Sequence, residues 1–155
     1  MRIVIQRVTR ATVRVGGDRV TAIGRGLLAL VGVADEDGTD DAARLAAKTA
    51  ALRLFPAGER GFDRTVGEVG GEVLVVSQFT LLGDVRRGNR PSWSAAAAPQ
   101  AAALLIDAYE AGLRARDVPI RSGVFGADMA VELCNDGPVT LVLDSRDLTG
   151  PRRGA

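Results

Sequence analysis

The sequence predicts an α+β fold, a mixed β-sheet with two helices packed on it. Three observations carry this expectation. Short segments that alternate with period two, or are continuously apolar, stand at both ends of the chain and in its middle. Two longer segments, one before Leu52 and one after Pro99, carry apolar residues at helical spacing. The resulting order is several strands, helix, strand, helix, strands, which suits helices laid on a sheet. No internal repeat or interdomain linker interrupts it, so residues 1–145 are expected to form a single domain.

Each element has its own justification. Residues 2–8 alternate, with Ile3 and Ile5 on one face and Val4 and Val8 on the other. Residues 12–15 and 19–23 flank Gly16-Gly17-Asp18 and read as a hairpin. Residues 26–33 are a short, turn-bounded apolar run, the pattern of a strand buried on both faces. Asp35-Glu36-Asp37-Gly38 reads as a turn leading into a helix rather than a metal site. Thr39 is placed to cap a helix over 40–52, with Asp40 and Asp41 at its positive end and Leu45, Thr49 and Leu52 on one side. Arg53-Leu54-Phe55 is expected to be a short strand stopped by Pro56, and residues 57–71 a loop or ragged hairpin. The glycines at its end are not a phosphate-binding loop, since no lysine followed by Ser or Thr stands at the required spacing. Residues 72–82 make the strongest strand, and 83–93 a polar loop. Pro99 suits the first turn of a helix running to about Arg116, with Ala102, Leu105, Ile106, Tyr109 and Leu113 at helical spacing. Three more strands are expected over 120–125, 129–135 and 139–143, then a flexible tail over 146–155.

Composition narrows the chemistry. The chain has 155 residues, 46% hydrophobic and 25% charged, as in a soluble globular protein with a real core. No membrane-length apolar run and no signal-peptide pattern is present, and the lone Cys134 argues against a disulfide scaffold; a cytoplasmic protein is the natural reading. There is no histidine. That excludes a Ser-His-Asp or Cys-His triad and a zinc site of the usual Cys/His kind. A Schiff-base enzyme would depend on the only lysine, Lys48, mid-helix among alanines. The reaction is left to hydroxyls, backbone amides, an oxygen-ligated metal or groups on the substrate, and no cofactor or metal is expected. The net charge of +1 is too mild for a protein that coats duplex nucleic acid, yet allows one that grips a single-stranded end. Arg86, Arg87 and Arg90 cluster in one loop, and Arg152 and Arg153 in the tail. Arginine forks suit phosphates and stack on bases, although taken alone the cluster reads first as a solvated basic loop.

Two segments stand out. Ser77-Gln78-Phe79-Thr80-Leu81 brings two hydroxyls, an amide and a ring to a strand end, where backbone amides could hold an oxyanion. Asn135-Asp136-Gly137-Pro138-Val139-Thr140 places a glycine where backbone could approach a ligand closely. In isolation the first is an ordinary strand and the second an ordinary turn. They occur in order with Ile5-Gln6-Arg7-Val8-Thr9-Arg10-Ala11, Arg90-Pro91-Ser92 and Gly126-Ala127-Asp128-Met129. Together these motifs, over about residues 1–145, closely resemble D-aminoacyl-tRNA deacylase of the bacterial and eukaryotic type.

The resemblance implies a barrel-like core with the two helices packed on it. It implies a homodimer that hydrolyses the ester joining a D-amino acid to the 3′ end of tRNA, a chiral proofreading step in translation quality control. It further implies a cis Gly137-Pro138 peptide that reaches into the partner's active site, braced by Arg7. Ser77, Gln78, Phe79 and Thr80 map onto the family's catalytic strand end, and Phe125 and Met129 onto the pocket for the terminal adenosine. The chain departs from the family in having Phe62-Asp63 where a Met-Asn pair is frequent, Trp93 for a usual phenylalanine, and a tail beyond Asp144. Without histidine, water attack assisted by the substrate's 2′-hydroxyl is preferred over Thr80 as nucleophile. Backbone carbonyls of Gly137 and Pro138 would exclude an L side chain by sterics alone, so glycine, including glycine mischarged on the alanine tRNA, should pass. An editing module for L-amino acids and a noncatalytic nucleic-acid-binding dimer are the rival readings.

Overall fold

The computed structural model describes residues 1–59 and 61–149. Its first strand, β1 (Arg2–Val15), is one long strand where the sequence pattern indicates two. The reason is a bulge. Val8 lies opposite Asn135 and Arg10 opposite Cys134, so Thr9 is an extra residue with no partner of its own. A bulge keeps the ladder running while it shifts the side-chain phase. Before it, Ile3 and Ile5 point to the helix-covered face; Val8, and after the bulge Ala11 and Val13, point into the barrel.

β2 (Asp18–Ile23) returns antiparallel on β1 as the expected hairpin. β3 (Gly26–Gly32) pairs antiparallel with β1, β4 (Glu72–Ser77) parallel with β3, and β5 (Ile120–Ser122) parallel with β4. β6 (Met129–Asp144) lies antiparallel to β1. The sheet path is β2-β1-β3-β4-β5, with β6 added on β1, and β2 comes round against β4 and β5. The result is a mixed, nearly closed barrel, the α+β class that the sequence indicates. Its interior is filled by Val8, Ala11, Val13, Ile23, Leu28, Leu74 and Val76. On the outer face α1 (Thr39–Ala51) and α2 (Pro99–Arg114) bury Leu45, Tyr109 and Leu113 against Ile3, Ile5, Leu27, Ala29, Val73 and Val75. Neighbouring residues of β3 thus enter different cores, which explains its unbroken apolar run. Tyr109 is fully buried and donates to Thr49 Oγ1 at 3.0 Å, joining the two helices.

Several local expectations are corrected. Gly38, not Thr39, is the N-cap of α1, and the Asp41 carboxylate accepts its amide at 3.0 Å. The preceding acidic turn is a turn as expected, with Asp37 accepting the Ala34 amide at 2.6 Å. Residues 53–55 form no strand: Phe55 makes an isolated bridge to Arg64, the base of a ragged hairpin. β4 stops at Ser77, and Phe79–Leu82 winds into a 3₁₀ turn. β5 stops at Ser122. The two strands expected over 129–143 are one, β6, which carries the Gly-Pro segment within it. Ser145–Leu148 is a 3₁₀ turn rather than loose tail, with Ser145 buried and its carbonyl accepting from Arg44 at 3.3 Å. The rest of the expected tail, with Arg152 and Arg153, lies outside the described residues. Among the described residues no helix is long and apolar enough to cross a membrane.

Candidate active site

A cavity of about 720 Å³ opens where β3 and β4 end beside the start of α2. Its size lies in the usual range for small-ligand pockets. Val31, Val76 and the first turns of α2 form apolar walls. Ser77, Gln78 and Phe79 supply one rim, Trp93 another, and residues 125–129 a third. Phe79, Trp93 and Phe125 are 55%, 41% and 45% exposed, so three aromatic rings stand half-open at one mouth. Phe79 and Trp93 meet edge to face, with ring centroids 5.3 Å apart. Met129 lies deeper, and its sulfur accepts the Val124 amide at 3.4 Å, which ties the Phe125 loop to β6.

The turn at the rim follows from its neighbours. The Gln78 amide donates to Val31 O at 2.7 Å, the last bond of the β3–β4 ladder. The chain then bends into the 3₁₀ turn over the end of β3. Gly32 makes room for it: a Cβ there would lie 2.5 Å from Leu82 Cδ2 and 2.9 Å from Gln78 O. The amides of Phe79 and Thr80 open the turn, and the first amides of such a turn have no acceptor within it. Both residues are exposed. Thr80 itself lies outside the cavity lining, and its hydroxyl accepts from the side-chain amide of Gln78. An N–H donor cannot remove a proton, so this contact does not activate Thr80.

Arg7 and the Gly137-Pro138 segment form a second assembly, away from this cavity. The pairing of β1 with β6 passes from Gln6–Thr140 to Val8–Asn135, so residues 136–139 bow out opposite Arg7 alone. The Gly137-Pro138 peptide is cis, and both residues are exposed. Gly137 has a φ of 119°, and a Cβ on it would sit 2.7 Å from Val139 Cγ2 and 3.2 Å from Arg7 Nη2, so glycine is required. Arg7 is 9% exposed. Its Nη1 donates to Leu54 O at 2.5 Å, while Nε lies 2.9 Å from Asp136 Oδ2 with the N–H turned off the hydrogen-bond line. The guanidinium also stands 6.0 Å over the Phe55 ring. The sequence reading names Arg7 but not the other braces. Asn135 Nδ2 donates to Arg7 O at 2.9 Å and Val139 O at 3.1 Å, closing the neck of the bow. Gln6 Nε2 donates to Thr140 Oγ1 at 3.2 Å. Neither role could be read from spacing, because it depends on where the bow falls in the β1–β6 ladder, which the sequence pattern does not mark.

Ser77, Gln78, Phe79, Phe125 and Met129 therefore converge on one cavity, while Arg7, Gly137 and Pro138 do not face it. Residues 4–144 match the family described as D-Tyr-tRNA(Tyr) deacylase. A D-aminoacyl-tRNA deacylase of Chloroflexus aurantiacus is 56% identical over 99% of this chain and 96% of its own. One from Anaeromyxobacter dehalogenans is 58% identical over 96% and 99%. Among solved structures, one titled c-Myc DNA Unwinding Element Binding Protein superposes with a TM-score of 0.85 at 38% identity, covering 93% of this chain and 98% of that one. A probable eukaryotic D-amino acid tRNA deacylase, at 18% identity and a TM-score of 0.78 over 92% and 97% of the two chains, shares the fold.

Proposed function

The chain belongs to the D-Tyr-tRNA(Tyr) deacylase family and is an enzyme that hydrolyses D-aminoacyl-tRNA, and we propose how its own residues do so. The terminal adenosine of the tRNA enters the 720 Å³ cavity. Phe125 stacks on the base and Met129 lines its floor; aromatic stacking of this kind is worth about 1–3 kcal/mol per base. The ester then lies at the Ser77-Gln78-Phe79-Thr80 rim. The carrying observation is that Ser77, Gln78 and Phe79 share one cavity with Phe125 and Met129, and Thr80 follows Phe79 in the turn.

An aminoacyl ester is already activated, so the site mainly orients water and stabilises the developing oxyanion. The Phe79 and Thr80 amides do the latter. With no histidine in the chain, the substrate's own 2′-hydroxyl assists the attacking water. The ester C–O bond breaks, the ribose oxygen takes a proton, and the free D-amino acid and tRNA leave.

Chirality is read by a partner subunit. Gly137 and Pro138 are exposed and turned away from their own cavity, which supports their delivery into that of a second copy. β6 pairs with β1 alone among the described residues, and Val142 on it is 66% exposed. An uncovered strand of that length with outward apolar residues calls for a partner. The Gly137 and Pro138 carbonyls then hold the substrate amino group and fill the space of an L side chain. A D side chain points away, and glycine passes, including glycine mischarged on the alanine tRNA. This takes place in the cytoplasm, where charged tRNA is found.

Matched D- and L-tyrosyl-tRNA, glycyl-tRNA and L-alanyl-tRNA test the reading. D-tyrosyl- and glycyl-tRNA are expected to be hydrolysed and both L esters to resist. A methyl group in an apolar pocket gives about 1–3 kcal/mol of discrimination, and fixed backbone should exceed that between glycine and L-alanine. Equal resistance of glycyl- and L-alanyl-tRNA would refute the steric filter.

A further inference from the structure

Residues 84–92 hang from the rim of the cavity as a small hairpin. The Asp84 amide donates to Ser92 O at 2.8 Å, and the Ser92 amide to Asp84 O at 2.9 Å. This bridge is anchored on both sides: the 3₁₀ turn ends just before it, and Trp93 just after it lines the cavity against Phe79. Beyond the bridge residues 85–90 are all exposed, and Gly88 turns the tip at a φ of 67°.

The three arginines of this tip are not equivalent. Arg86 forks onto Asp84, with Nε 2.9 Å from Oδ1 and Nη2 2.6 Å from Oδ2. Those hydrogen bonds hold the Asp84 carboxyl down to about 2, so it is ionised and accepts from Arg86 at neutral pH. Arg87 and Arg90 have no carboxylate partner among the described residues. Both guanidinium groups lie on the exposed loop that leads into Trp93 at the cavity wall.

Resting on the reading of the cavity as the seat of the terminal nucleoside, we propose that Arg87 and Arg90 grip phosphates of the unpaired 3′ end of the RNA, while Asp84 keeps Arg86 out of that contact. Reach decides which phosphates. Even fully extended, at about 3.3 Å per residue, the step from Asp84 to Gly88 could carry the tip no more than roughly 13 Å from the bridge, and the bends over residues 86–90 shorten it. Phosphates of one stacked strand advance about 3.4 Å each along the axis, so the arm reaches at most about four nucleotides. That is the single-stranded end next to the bound nucleoside rather than the paired stem. Guanidinium forks match phosphate oxygens and remain charged throughout.

The test compares D-tyrosyl-tRNA with the D-tyrosyl ester of adenosine alone. In R87A/R90A, kcat/KM on the tRNA should fall about 10- to 100-fold, chiefly through KM. The log–log salt slope of binding should shrink by about 1.4, from about 0.7 per phosphate on a single strand. Hydrolysis of the adenosine ester should be unchanged, and R86A should leave both substrates near the wild-type rate. Unchanged tRNA kinetics and salt slope in the double variant overturn the proposal. So does an equal loss on both substrates, which would make the hairpin a wall of the cavity. If the unaltered enzyme cleaved neither ester, the deacylase reading would fall instead. Filter binding of uncharged tRNA by the same variants then decides the arginines independently: weaker binding with a smaller slope supports the grip, and identical binding removes it.

Discussion

Thr80 is the residue on which mechanism turns. Its hydroxyl accepts from Gln78, the cavity passes it by, and no histidine exists to take its proton. Thr80→Ala should therefore retain substantial hydrolysis of D-tyrosyl-tRNA. A loss beyond about 10³-fold, the upper range for removing one oxyanion donor, with folding and tRNA binding intact, would reinstate threonine catalysis. Replacing the terminal adenosine by its 2′-deoxy form should hurt far more than Thr80→Ala, and equal rates on the two substrates would remove substrate assistance. Ser77 to Thr80 are legible in the sequence as a candidate motif. That the hydroxyl of Thr80 meets a donor is not, because the sequence indicates a continuing strand where the chain turns at Phe79.

At the scale of elements, two junctions set the geometry. The first is the 3₁₀ turn on the end of β3. Gly32→Ala would push a methyl to 2.9 Å from Gln78 O and 3.1 Å from Leu81 Cβ, and a backbone oxygen cannot swing aside as a side chain does. Overpacking of this kind costs about 1–3 kcal/mol. Urea unfolding should show that loss, and deacylation should fall with it because the turn carries the Phe79 and Thr80 amides. The second junction joins the end of β6 to β1 and to the 3₁₀ turn over Ser145–Leu148. Asp144 accepts from Arg146 Nη2 at 2.8 Å and from Arg2 Nη2 at 3.2 Å, and Arg146 above all holds its carboxyl well below the usual range against the opposing effect of burial. A depressed folded-state pKa stabilises above the unfolded value of about 3.9, and that stability is lost as pH falls through it toward the folded value. The protein should thus weaken progressively below about pH 4. Asp144→Asn should be less stable at neutral pH and lose less on acidification; an acid transition of undiminished slope in the variant would assign the effect elsewhere.

For the whole molecule, the proposed delivery of Gly137-Pro138 to a second copy would make oligomerisation a condition of function. Val142→Glu would set a charge on the exposed face of β6 while leaving both cores untouched. The expected result is a monomer by light scattering, with activity or D-selectivity lost. A verified monomer that hydrolyses D-tyrosyl-tRNA at full rate and still spares the L ester would show that each cavity filters by itself.

The sequence by itself determined the class of the fold, both helices, the hairpin after β1 and the family, because these rest on periodicity and on side chains at fixed short spacing. Ile3 with Ile5, the unbroken run of β3 and Pro99 were enough to place their elements. It also excluded histidine chemistry outright. Only the tertiary structure decided what happens where the ladder slips. The bulge at Thr9 fuses two strands and sends Ala11 and Val13 into the barrel; the bow at 136–139 merges two more and recruits Gln6, Asn135 and Thr140 to hold it. Pairing across strands compensates for local irregularity with bonds linking Gln6 and Arg7 to residues far along the chain, and no short window of sequence contains both partners of those bonds. Arg86 differs from Arg87 and Arg90 for a local reason: Asp84 stands two residues away, but only the structure shows its carboxylate forked by Arg86 and not by the other two, because the bend at the loop decides which guanidinium meets it.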